Sequence, residues 1–157
     1  MSSHTPLLIT RQTCLVEQPI DSVFRYVSNH ENYQHWYPGV ESVSALDDTP
    51  PGRVGKTYRE TIRLPSGRLQ KIQIATVESE PPTRFVTQGD HAALKPQMTF
   101  DLQPLGDTQT QVTWMFFSRH KSPIQRLIVR LLFRPIMKRQ AIRAMESLKR
   151  HLDQTQA

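Results

Sequence analysis

Residues 55–79 read GKTYRETIRLPSGRLQKIQIATVES, and the alternation within them sets the architecture. Successive side chains of a strand point to opposite faces. From Thr57 to Leu64 one face carries Tyr58, Glu60, Ile62 and Leu64, and the other carries Thr57, Arg59, Thr61 and Arg63. The first set is mostly apolar and is the face turned toward a core. Pro65-Ser66-Gly67 then supplies turn chemistry, after which Ile72 and Ile74 resume the alternation. Two runs joined by so short a break pair most simply as antiparallel neighbours.

The same pattern extends in both directions. Further breaks fall at residues 47–52, at Glu80-Pro81-Pro82, around residues 92–96 and at residues 104–107. They delimit six runs of strand length, at about 40–47, 55–64, 68–79, 83–91, 97–103 and 109–119, which make a meander. Upstream, residues 7–16 read as another strand, ended by Pro19, which cannot donate a ladder hydrogen bond. Asp21 is placed to cap a helix whose face is Val23, Phe24 and Val27, and Asn29 a second short helix through Trp36, ended by Pro38-Gly39. Downstream, Ser122-Pro123 opens a long helical segment. Its apolar face is read from Ile124, Ile128, Leu132 and Leu127, Leu131, resuming at Ile136, Ala141, Met145 and Leu148, with Pro135 kinking or breaking it near Phe133. A bent sheet with one apolar face needs a cover, and this helix is the only element long enough to provide it. The expectation is an α+β fold in one domain spanning residues 1–157, a length in the usual range for a single core.

Particular segments resemble a known family. They are Pro19-Ile20-Asp21-Ser22-Val23-Phe24, Trp36-Tyr37-Pro38-Gly39-Val40, Gly55-Lys56-Thr57-Tyr58, Glu80-Pro81-Pro82-Thr83-Arg84-Phe85 and Ser147-Leu148-Lys149-Arg150. Together they resemble the START-like (SRPBCC) superfamily, in particular its polyketide cyclase/dehydrase branch, from about residue 8 to residue 152. The resemblance implies a helix-grip fold, a seven-stranded antiparallel sheet gripping the long helix around a deep apolar cavity. Members bind lipids, sterols, polyketides or hormones, some act as aromatase/cyclases or dehydratases, and others are chaperone cofactors. The matched segments are structural punctuation and carry no catalytic signature, so function has to be argued from the site.

Some chemistries are disfavoured by spacing. The six histidines, His4, His30, His35, His91, His120 and His151, form no HExxH, and one cysteine cannot build a zinc cluster. No metal is expected, and surface or capping roles suit these histidines. There is no Gly-x-Ser-x-Gly and no glycine-rich phosphate loop. Cys14 lies in a strand and reads as a buried, inert thiol. Nothing in the sequence demands a cofactor.

Candidates for a cavity come from the strand faces. Glu60, among apolar neighbours, is placed to act as a general acid or base; the competing reading has it facing solvent or paired with an arginine of the next strand. His91 is the second catalytic candidate, able to polarise a ligand carbonyl if it points inward, or a solvated residue if it belongs to the turn after it. Adjacent strand residues diverge, so Asp90 is not expected to bond to it directly. Candidate ligand contacts are Tyr58, Ile72, Ile74, Phe85, Met98, Phe100, Trp114 and Phe116, most of which should simply pack. The last strand has large apolar residues on both faces, and Trp114 with Phe116 continues the phase of Val112. Trp36, beside Tyr33 and Tyr37, either gates the cavity mouth or seals the core.

Charge is divided unevenly. Residues 1–118 hold 10 Lys and Arg against 12 Asp and Glu, and residues 119–157 hold 10 against 2, so the net +6 originates in the last quarter. Arg126, Arg130, Arg134 and Lys138 recur every four residues as a cationic stripe. It suits an anionic membrane surface or an acidic partner, or is the solvated back of a helix whose apolar side covers the sheet. No specific nucleic-acid motif accompanies it. Neither a signal peptide nor an 18-residue apolar run is evident, so the cytoplasm is the default compartment. Two functions remain in view. One is binding of a small hydrophobic ligand, lipid or polyketide-like, between sheet and helix. The alternative is a cyclase or dehydratase using Glu60 or His91 as acid or base.

Overall fold

The computed structural model describes residues 5–64 and 66–154; His4 and Pro65, both part of the sequence reading, lie outside them. The elements run β1 (Leu7–Val16), α1 (Ile20–Val27), a 3-10 turn (His30–Asn32), α2 (Tyr33–Trp36), then β2 (Val40–Ala45), β3 (Thr57–Arg63), β4 (Leu69–Glu80), β5 (Arg84–Gly89), β6 (Pro96–Pro104) and β7 (Thr110–Ser118). The chain continues through α3 (Pro123–Ile128), a π-helical turn (Val129–Phe133) and α4 (Arg134–Gln154). The seven strands form one antiparallel sheet in the order β1-β7-β6-β5-β4-β3-β2, a meander closed by β1 against β7. With α4 laid across its inner face, this is the α+β helix-grip fold.

Alternation positions the core. In β4, Ile72, Ile74 and Thr76 are buried while Lys71, Gln73 and Val77 are exposed. On β7, Val112, Trp114 and Phe116 turn inward. The register shifts at Leu8/Thr10, Val40/Ser42 and Thr76/Glu78. Each shift adds local twist, which is how a sheet bends around a helix. From α4 the buried face is Met137, Ala141, Ala144, Met145, Leu148 and Leu152. Full burial of a side chain such as Leu148 contributes about 1.5–3 kcal/mol.

Of the two early helix starts, one differs from the expectation and one matches it. α1 begins two residues earlier than expected, with Pro19 rather than Asp21 as N-cap, and Ser22 and Val23 both donate to the Pro19 carbonyl. Asp21 instead sits in the first turn, where its charge complements the helix dipole. Asn29 does cap the short turn, accepting from the Glu31 N–H at 3.2 Å.

The C-terminal helix departs further from its reading. Pro135 does not break it, since Arg134 keeps helical dihedrals and α4 runs on through the proline. The π-helical turn just before takes up the irregularity. Val129 and Met137 are both buried, yet eight residues apart they would be about 80° out of phase on a regular helix at 3.6 residues per turn. The extra residue of the π turn brings them back onto one face. The residues read as the covering face, Ile124, Leu127, Ile128, Leu131 and Leu132, are consequently exposed.

Candidate functional site

The inner face of β3 and the short helices meet at a cavity of about 400 Å³ between sheet and helix. Its apolar wall comes mainly from Ile62, Ile72, Ile74, Met98 and Phe116 on the strands and from Leu132, Phe133, Ile136 and Met137 on the helix. Glu60, His30, His91, Tyr33, Tyr37, Gln140 and Thr87 add polar groups.

Glu60 is buried and faces inward, as β3 alternation requires, and its partner is neither solvent nor an arginine. His30 Nε2 lies 2.8 Å from Glu60 Oε2, with the two side chains 2% and 7% exposed. With Nε2–H donating to the carboxylate, His30 Nδ1 has no partner among the described residues. His30 is thus a buried member of the site, which corrects its reading as a surface or capping residue. Its ring stacks on Tyr33 at 4.8 Å, and Tyr33 stacks on Tyr37 at 4.7 Å. The spacing of 30, 33 and 37 places all three on one helical face, a signal the sequence held. Burial, reinforced by the neighbouring Tyr37 and by Glu60, pushes the Tyr33 phenol well up. Burial first and then Glu60 do the same for Tyr37. Both remain neutral O–H groups across the physiological range, and Tyr37 donates to Gln140 Oε1 at 3.3 Å.

His91 lies just past the end of β5, in the turn, yet it is buried and lines the cavity. A solvated turn residue is therefore not what the structure holds. The Leu94 N–H donates to His91 Nδ1 at 3.2 Å, which makes Nε2 the proton-bearing nitrogen of the neutral ring. Burial lowers the His91 pKa, opposed more weakly by a backbone hydrogen bond and the charges of Asp90 and Glu60. Asp90 points away and accepts from the Gln73 N–H at 2.8 Å.

The other candidates separate into two groups. Ile72, Ile74, Met98 and Phe116 are on the cavity wall. Tyr58, Phe85, Phe100, Trp114 and Trp36 pack in the core and do not form that wall. Trp36 meets Phe100 and Trp114 edge-on, each at 6.0 Å, and so seals the core beneath the two tyrosines. Gly89 gives the wall its depth, since a Cβ there would come within 2.8 Å of Ile74 Cδ1 and 3.0 Å of Pro96 Cγ. Arg126 and Arg134 of the cationic stripe turn back to the carbonyls of Thr5 and Ile9 at 3.0 and 3.3 Å, while Arg130 and Lys138 stay exposed. No helix among the described residues is long and apolar enough to cross a membrane.

The family model described as "Polyketide cyclase / dehydrase and lipid transport" matches residues 9–153. The chain belongs to this polyketide cyclase/dehydrase family, a START-like branch. No curated protein sequence matches the chain significantly. Solved structures with the same fold include a protein of Thermus thermophilus, at 15% identity and TM-score 0.72, covering 94% of this chain and 99% of that one. Another is the Zhui aromatase/cyclase from Streptomyces sp. R1128, at 14% identity and TM-score 0.70, covering 92% and 93%. The di-domain ARO/CYC StfQ from the steffimycin biosynthetic pathway aligns at 11% identity and TM-score 0.69 over 94% of this chain, which spans about half of that protein, 51%. At these identities the likeness shows the shared fold, and what this cyclase/dehydrase family member does rests on its own cavity.

Proposed function

We propose that the cavity binds a compact, mostly apolar molecule bearing a carbonyl or hydroxyl group, of lipid or polyketide-like character. The observation that carries this reading is an apolar cavity of about 400 Å³ into which a small set of polar groups converges. That volume lies in the lower part of the roughly 300–1,000 Å³ range of ligand pockets, and mixed lining of this kind orients a ligand by its few polar atoms. A neutral His91 with its proton on Nε2 is suited to donate to a ligand oxygen. The family description and the aromatase/cyclase names among the structural relatives support the same class of ligand. The test is organic extraction of freshly purified protein, identification of what is released, and rebinding to stripped protein. Recovery of a discrete apolar molecule that rebinds to wild type and at least about tenfold more weakly to His91→Ala is expected. Rebinding unaffected by cavity substitutions would refute the assignment.

The buried His30–Glu60 pair favours a second reading, a cyclase or dehydratase. Here the Glu60 carboxylate, oriented by His30, removes a proton from the carbon next to a ligand carbonyl while His91 N–H stabilises the developing oxyanion. Loss of water then follows from a neighbouring hydroxyl-bearing carbon, with the proton on Glu60 delivered to the leaving oxygen. Turnover of an accepted substrate unchanged in both Glu60→Gln and His91→Ala would eliminate it.

A further inference from the structure

The helix that closes the cavity leaves an apolar strip uncovered. Ile124, Leu127, Ile128, Leu131, Leu132 and Ile136 are between 43% and 72% exposed. Scattered exposed leucines are ordinary, but six on consecutive turns of one segment form a continuous patch of the kind that marks an interaction surface. The π turn makes the strip continuous, because it keeps Val129 and Met137 on the sheet side and leaves Leu131, Leu132 and Ile136 exposed in line with Ile124 and Leu127.

The strip is bordered by positive charge. Lys121, Arg130, Lys138 and Arg139 are exposed, and residues 119–145 contain no acidic residue. Lys121, Arg126 and Arg130 surround Leu127 at a surface groove that Thr5 and Pro123 complete. An exposed apolar ridge between cations matches an anionic lipid surface, where side chains enter the acyl boundary and the cations meet headgroup phosphates. A second copy matches poorly, since an isologous contact would set cation against cation with no acid in the segment to pair them. Leu132 and Ile136 also line the cavity, so the strip and the cavity rim share side chains.

We propose that the segment from Ile124 to Lys138 docks the protein on the surface of an anionic bilayer, with the cavity rim turned toward the lipid. The docking depends on this surface alone and stands whatever the cavity holds. It is tested by co-sedimentation of the full chain with vesicles of phosphatidylcholine alone and of phosphatidylcholine mixed with phosphatidylglycerol, at low and high salt. Three proteins are compared: wild type, Ile124→Ser with Leu131→Ser, and Arg130→Glu with Lys138→Glu. None of these four positions lines the cavity or is buried, so thermal unfolding of the variants serves as the folding control.

Wild type is expected to bind the anionic vesicles at least about tenfold better than the neutral ones and to lose binding as salt rises. Both double variants are expected to fall by about tenfold or more while unfolding normally. Equal binding to neutral vesicles, or no binding to anionic ones at low salt, would overturn the proposal. A wild-type dimer in sedimentation velocity that Ile124→Ser with Leu131→Ser dissociates would overturn it too, giving the strip to a second copy.

Discussion

Replacing Glu60 with leucine isolates the energetics of the buried pair on which the polar side of the cavity is built. Glu60 Oε2 is 2.8 Å from His30 Nε2, and His30 Nδ1 already lacks a partner among the described residues. Glu60→Leu therefore strands a ring whose side chain is only 2% exposed, with neither nitrogen bonded. Each buried polar group left unsatisfied costs about 1–3 kcal/mol. The ring borders a cavity that water can enter, so the middle of that range applies rather than its top, about 2 kcal/mol. For a chain of this size the melting temperature should fall by about 4–8 °C. His30→Leu alone strands the carboxylate and should cost a similar amount. The double variant removes both polar groups and places apolar volume against Tyr33 and Tyr58, an exchange that is often neutral or stabilising. A cycle of the four proteins should give a coupling of about 1.5 kcal/mol or more. Urea unfolding followed by tryptophan fluorescence suits the assay, because Trp36 and Trp114 are both buried. Additive single effects, with coupling below about 0.5 kcal/mol, would refute the pair as an energetic unit.

Three further outcomes follow from the geometry. His91 is held below its unfolded pKa of about 6.5, chiefly by burial, so at lower pH the unfolded chain takes up the proton first. The stability this linkage provides is complete above about pH 6.5 and declines as pH falls through the lowered folded value; urea midpoints of His91→Asn should fall less over that window than those of wild type, and an identical fall in both would contradict the assignment. Burial, against the opposing pull of Lys149, pushes the Cys14 thiol up to about 11. Iodoacetamide at mildly alkaline pH should therefore modify folded protein at least about a hundredfold more slowly than urea-unfolded protein, and comparable rates would show an open thiol. Gly89→Ala drives a methyl toward Ile74 and Pro96, so it should cost about 1–3 kcal/mol in urea unfolding and displace Ile74 into the cavity; weakened ligand binding without that loss of stability would mean the wall gives at no cost.

The parts of this molecule that are legible in sequence are those set by short-range periodicity. Tyr58, Glu60 and Ile62 declare the inner face of β3 because strand side chains alternate strictly, and β7 can be oriented from Val112 even though both its faces are apolar. What alternation lacks is the identity of a distant partner: Glu60 reads as a lone carboxylate until the fold brings His30 across from the short helical turn. His91 reads as a turn residue, and it is one, but the turn folds inward and the Leu94 N–H fixes the ring. On the last helix, periodicity reveals that Ile124, Leu127, Ile128, Leu131 and Leu132 share a side without revealing which side is covered. The π turn decides that by shifting the phase, and no local propensity announces it. Trp36 shows the same limit, since an aromatic beside two tyrosines can equally gate or seal, and only packing against Phe100 and Trp114 assigns it to the core.

Native mass spectrometry shows whether the space between sheet and helix is a ligand cavity. Freshly purified wild type is compared with Ile72→Trp, which fills the cavity from its wall, after circular dichroism has established that the variant folds. Wild type is expected to carry one discrete apolar molecule per chain, or to acquire one from a panel of fatty acids and aromatic ketones, and the filled variant to carry none. An unliganded wild type that accepts nothing from the panel, or an adduct that persists undiminished in Ile72→Trp, would contradict it.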